Sequence, residues 1–206
     1  MVKIWSDSRL NQAAKTCLNH IQSFLGEKGI HIEILNRPKY RFYVADLPYF
    51  QSYFGRMGYS QQTAETLAEI TNAITIHGEK IIVLKEKYIQ NYDTILHELL
   101  HSLTWIKTRY KRWIREGLTR YIQKLVSSHS NIEIGESIYD EFSYTKMWEN
   151  AARVVGEKTI LLLYFSESEE ALRKTTKNFE KAGINLPELL EMNFNQAKSL
   201  LSKKPT

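Results

Sequence analysis

Apolar residues recur at helical spacing through Leu10, Ala13, Ala14, Cys17, Leu18, Ile21, Phe24 and Leu25, which predicts an amphipathic first helix closed by Gly26 and Gly29. The next apolar runs, Ile30 to Leu35 and Tyr40 to Val44, read as short strands with Pro38 at the turn between them. Residues 45–60 lose the period. Pro48, Gly55 and Gly58 interrupt five aromatics there, so the stretch reads as an irregular loop, and residues 61–72 return to a short helical pattern. Ala73 to Ile76 and Lys80 to Leu84 are two β-runs around the turn His77-Gly78-Glu79. Ile95, Leu96, Leu99, Leu100 and Leu103 then restore helical spacing; Asn91 or Asp93 can cap that helix and residues 104–108 would form its last turn. Further on, Tyr144 to Val155, Thr159 to Phe165, Ser168 to Ala182 and Leu186 to Leu201 are each periodic and are separated by Gly156, Ser166 and Gly183, with Pro187 suited to a first turn. The pattern predicts an α+β chain, with a helix and a small mixed sheet in the N-terminal half and a mainly helical C-terminal half.

Length and composition sharpen that picture a little. With 206 residues, 43% of them hydrophobic, the chain can bury a substantial core as a single domain of two lobes, residues 1–108 and 109–206. Neither an 18-residue apolar run nor a leader-like start is visible, so the reading is of a protein with no membrane partner, expected in the cytoplasm. One cysteine excludes an internal disulfide and agrees with a reducing compartment.

The chemistry is concentrated in His97-Glu98-Leu99-Leu100-His101, inside the helical pattern just described. Histidines four residues apart lie one turn apart on the same helix face, so both imidazoles can reach one ion. Glu98 projects close to that ion without having to bind it, which suits a base that takes a proton from water in zinc-assisted hydrolysis of peptides. A catalytic zinc takes three protein ligands and keeps one position open. The metzincin pattern would need a histidine where Lys107 stands, and a deformylase-like cysteine loop does not match Cys17 within Lys-Thr-Cys-Leu-Asn. A downstream carboxylate remains.

Trp113-Ile114-Arg115-Glu116-Gly117-Leu118-Thr119-Arg120-Tyr121 offers one. Together with the histidine pair it resembles the gluzincin pattern of zinc metallopeptidases, in which a second helix carries a Glu followed by Gly, a small residue and an aromatic. The resemblance implies Glu116 as third ligand, with one zinc ion held by His97, His101 and Glu116. Gly117 would then let the second helix approach the first at the metal. Where some gluzincins carry an Asp that orients a ligand histidine, this chain has Arg120, so Thr119, Asn150 or a backbone carbonyl would take that part. Residues 73–175 also resemble peptidase MA-like proteins. That resemblance implies a zincin-like fold with the active-site cleft between the lobes. It also implies a substrate peptide laid along the edge of the sheet, Lys80 to Leu84 or its hairpin partner, and Tyr144 as donor to the oxyanion, with Tyr110 and Tyr121 as alternatives.

The expected function is therefore a zinc-dependent endopeptidase in which zinc activates water, Glu98 is the general base, and a peptide or protein is the substrate. Two other readings stand beside it: a regulatory or toxin-like zinc protein that cuts nothing, and a nucleic-acid-associated protein that uses the basic stretch Lys107 to Arg112. Retention of Glu98 speaks against the first. With a net charge of +5 that stretch could recruit nucleic acid or an acidic substrate, but a solvated loop whose cations suit the C-terminus of the preceding helix is the stronger reading. His20, His31, His77 and His129 lack ligand spacing and read as ordinary polar residues.

Overall fold

The computed structural model describes residues 3–32, 40–106, 110–135, 139–166 and 168–202. They form an α+β protein, mostly helical, with one small mixed sheet. Packing divides the chain into two units, one made of residues 1–20 and 34–102 and the other of 21–33 and 103–206.

The first unit contains β1 (Ile4–Trp5), the start of α1 (Ser8–Glu27), β2 (Arg41–Ala45), α2 (Leu47–Arg56), α3 (Gln61–Ile70), β3 (Ala73–Ile76), β4 (Ile81–Lys85) and nearly all of α4 (Tyr92–Leu103). Strand order is β1-β2-β4-β3, with β2 and β4 parallel and the other two pairs antiparallel. A parallel pair needs a long crossover, and α2 and α3 lie within it. Alternation along the strands sends Tyr43, Ala45, Ile74, Ile76, Ile81 and Val83 to one face, where they pack with Tyr49, Phe50 and Phe54 of α2 and Ala68 of α3. Val44, Ile82 and Leu84 alternate to the opposite face and are wholly buried. Of the two strands of the hairpin, β4 is therefore interior and β3 forms the edge.

Residues 45–60 are not an irregular loop, because ten of them form α2. Asp46 accepts the Tyr49 N–H at 3.2 Å, and Pro48 occupies the first turn, where a missing N–H removes no helical bond. The aromatics then fall at helical spacing on a face that the sheet covers. Helix α3 starts at Ser60, whose hydroxyl accepts the Thr63 N–H.

Ile30 to Ile32 is not strand either, and residues 33–39, with Pro38, lie outside the described residues. After α1 the chain turns at Gly29, φ 62°. The Ile30 N–H donates to the Leu25 carbonyl at 2.9 Å and the Gly29 N–H to that of Gly26 at 3.0 Å. This is a Schellman closure, and Ile30 is buried as its apolar plug rather than as the start of a strand.

The second unit holds the end of α1 and six helices: α5 (Arg112–Ser130), α6 (Tyr139–Val155), α7 (Glu157–Phe165), α8 (Glu169–Lys181), α9 (Leu186–Glu191) and α10 (Phe194–Ser202). Its core is built on α5, where Trp113, Ile114, Leu118, Tyr121, Ile122 and Val126 are buried, and on α6, whose Trp148 stacks on Trp113 with ring centroids 5.8 Å apart. The single helix expected from Leu186 to Leu201 is two helices. Between them the Trp113 indole N–H donates to the Met192 carbonyl at 3.1 Å, and the Lys111 ammonium donates to that of Glu191. Asn193 and Gln196 then start α10 with reciprocal bonds of 3.0 Å, each side chain bonding the other's backbone N–H. Among the described residues no helix is long and apolar enough to cross a membrane.

Candidate metal centre

Helix α4 exists because one face is wholly apolar. Ile95, Leu96, Leu99 and Leu100 are 2% exposed or less, while Asn91 caps the helix by accepting the Thr94 N–H at 2.8 Å. The helix ends at Leu103, earlier than the expected last turn over 104–108; residues 107 and 108 lie outside the described residues. Thr104 and Trp105 leave the helical path because their side chains donate to the Tyr164 and Leu163 carbonyls at 2.8 and 2.6 Å, at the end of α7. Those carbonyls are in the last turn of a helix, where intrahelical partners run out.

His97 and His101 occupy one flank of α4, and both are half-buried. Their ring centroids are 4.6 Å apart at an interplanar angle of 85°, and their Nε2 atoms are 3.0 Å apart. Two imidazole nitrogens bound to one tetrahedral zinc at about 2.0–2.1 Å would be roughly 3.3 Å apart, so the pair needs little adjustment to bind one ion. Glu116 lies in the second turn of α5, with its side chain 17% exposed and its Oε1 3.8 Å from Nη1 of Arg115. One ligand atom from each of His97, His101 and Glu116 lies within 4.8 Å of the other two. Two neutral nitrogens and one carboxylate oxygen are a borderline donor set suited to a divalent transition metal.

Glu98 turns away from solvent and is 8% exposed. Its Oε2 accepts a 2.6 Å hydrogen bond from the hydroxyl of Thr75 on β3. No spacing in the sequence marks Thr75, which is 23 residues upstream. Only the pairing of the sheet brings it to the helix.

Gly117 does make a close approach, but to α6: a Cβ on Gly117 would sit 2.6 Å from the Cβ of Tyr144, 3.0 Å from its backbone carbon and 3.1 Å from Cδ1 of Trp148. Tyr144 thus lies against the residue that follows Glu116, and its ring and that of Phe194 meet in a T-shaped pair with centroids 4.7 Å apart. Tyr110 packs on Trp105, and Tyr121 is buried in α5, where desolvation raises the pKa of its phenol. Thr119 shares a 2.8 Å hydrogen bond with the Tyr164 hydroxyl, and Asn150 accepts from Arg153 at 3.2 Å. Arg120 donates to Gln123. His77 bonds Tyr40 at 2.8 Å, and His129 faces Glu27 at 3.3 Å. Residues 107–109 of the basic stretch lie outside the described residues, while Lys111 is spent on the Glu191 carbonyl.

No family model, curated protein or solved structure matches this chain.

Proposed function

We propose that this protein is a zinc-dependent peptidase of the gluzincin type, with zincin-like organisation and an endopeptidase action on extended peptides. The observation that carries the reading is the approach of His97, His101 and Glu116 ligand atoms to within 4.8 Å, with a buried carboxylate, Glu98, next in sequence to the first ligand. Zinc bound there supplies Lewis-acid activation of water and of the scissile carbonyl. Glu98 takes the proton released by the attacking water and returns it to the leaving amine. Tyr144 is the proposed donor to the developing oxyanion, and the outer rim of β3 is the proposed seat of the peptide backbone. A metal site that served structure alone would gain nothing from an acidic residue at position 98.

The test is metal content and affinity, followed by turnover. The purified chain should bind one zinc, and His101→Ala or Glu116→Ala should weaken binding by at least 100-fold. Glu98→Gln should keep the metal and lose about 100- to 10,000-fold in hydrolysis of a peptide library. Cleavage by Glu98→Gln at the wild-type rate refutes the peptidase reading, and an unchanged zinc affinity in Glu116→Ala refutes the ligand set.

A further inference from the structure

The side chain of Thr75 is half-buried on β3, on the opposite side of that strand from Ile74 and Ile76, which pack with α2 and α3. It pairs in register with Ile82 of the interior strand β4, so its position is set by the sheet. Its hydroxyl has one proton and two acceptors in reach, Oε2 of Glu98 at 2.6 Å and the Glu98 backbone carbonyl at 3.2 Å. The shorter bond takes the proton: 2.6 Å is within the range of a well-formed O–H to oxygen bond, whereas 3.2 Å lies beyond it. A glutamate on a helix has three side-chain torsions to fix, and nothing in α4 itself fixes the last of them. A donor from another element does. With Oε2 occupied by Thr75, the lone pairs of Oε1 are left for the water that must lose a proton.

We propose that Thr75 is a positioning residue that orients the Glu98 carboxylate through Oε2 and leaves Oε1 to act as the base. The inference rests on the reading of Glu98 as proton acceptor. It ties the base on α4 to the edge strand of the sheet, so the strand whose rim is proposed to take the substrate also holds the group that acts on it.

The experiment compares Thr75→Val and Thr75→Ser with wild type. Valine keeps the β-branched shape and removes the donor; serine restores the donor without the methyl group. Thr75→Val should lower kcat by roughly 10- to 100-fold, as expected for a misplaced catalytic group. KM and zinc affinity should stay within about 3-fold, and Thr75→Ser should recover most of the loss. Crystal structures of the three zinc-loaded proteins should show one Glu98 orientation in wild type and Thr75→Ser, and a rotated or divided one in Thr75→Val. An unchanged Glu98 orientation in Thr75→Val overturns the proposal, as does wild-type turnover in that variant. Equal loss in both variants, or loss of zinc in Thr75→Val, assigns Thr75 to the scaffold and also overturns it. Should wild type cleave nothing, the peptidase reading fails by itself, and the orientation of Glu98 in the crystal structures still decides the role of Thr75.

Discussion

Replacing Gly117 with alanine adds one methyl group at the point where α5 meets α6. The new carbon would stand 2.6 Å from the Cβ of Tyr144, 3.0 Å from its backbone carbon and 3.1 Å from Cδ1 of Trp148. Two of those three atoms cannot be moved by a change of rotamer, so relief requires a shift of α6 by on the order of 1 Å. Overpacking of this kind costs about 1–3 kcal/mol, and the rigidity of the contacting atoms places this case near the upper end. Alanine also returns about 1 kcal/mol of helix propensity. The net expectation is a destabilisation of about 2 kcal/mol, which corresponds to a fall in Tm of roughly 4–8 °C for a chain of this size. Gly26, in the last turn of α1 and in the same unit, is the internal control, because nothing lies within 4 Å of a Cβ built there. Gly26→Ala should gain about 0.5–1 kcal/mol from propensity alone. Urea denaturation of the two variants beside wild type, supported by thermal melts, reads both signs in one assay. A Gly117→Ala protein as stable as wild type would refute the argument, because the two helices would then not meet at the distances described.

Cys17 is fully buried in α1, its Sγ donates to the Tyr92 carbonyl at 3.8 Å, and burial pushes its thiol up to about 12. It should resist a thiol reagent at pH 8 in native buffer and react stoichiometrically in urea, whereas rapid native labelling would contradict its placement. The sign for stability follows: folding favours the neutral thiol, so its contribution is intact below the ordinary value of 9.0 and declines as pH rises from there towards about 12. Burial alone would raise the Glu149 carboxyl, but hydrogen bonds from Lys124 and Lys146 outweigh it and hold the group below its ordinary value. Its contribution is therefore present at neutral pH and lost as pH falls through the carboxylate range. Glu149→Gln should flatten that acid limb by about 0.5–1 kcal/mol, the scale of an exposed ion pair, and an unaltered limb would show the pair to be without effect.

How far the fold was readable varies with the range of the interaction that decides it. Helix α4, its histidine pair and the Asn91 cap are local matters of spacing within one segment, and all were visible in the residue pattern. So was the β3–β4 hairpin, though its place in the sheet was not, since β4 becomes interior only by pairing with β2. Helix α2 was hidden by Pro48 and Gly55, residues that signal a break in isolation but sit in a first turn and near a helix end here. The division of the last helix at Met192 depends on the indole of Trp113, 79 residues earlier. At the candidate metal centre, the motifs name the three residues whose ligand atoms come within 4.8 Å of one another, whereas the partner of Glu98 has no signal in the sequence. The motif points to Gly117 as an approach to α4, whereas the close approach is to α6, a matter of tertiary packing that the motif does not carry.

Tyr164 makes two bonds with opposite ends of its own atoms: its carbonyl accepts from Thr104, three residues after His101, and its hydroxyl is shared with Thr119, three residues after Glu116. One late residue thus clamps both segments of chain that lead away from the candidate ligands. During synthesis the imidazole pair would leave the ribosome more than sixty residues before that clamp, so, on the proposed reading, a nascent chain would offer two ligands long before the segment that carries Glu116 is locked. A metal held there would then complete the fold late rather than nucleate it.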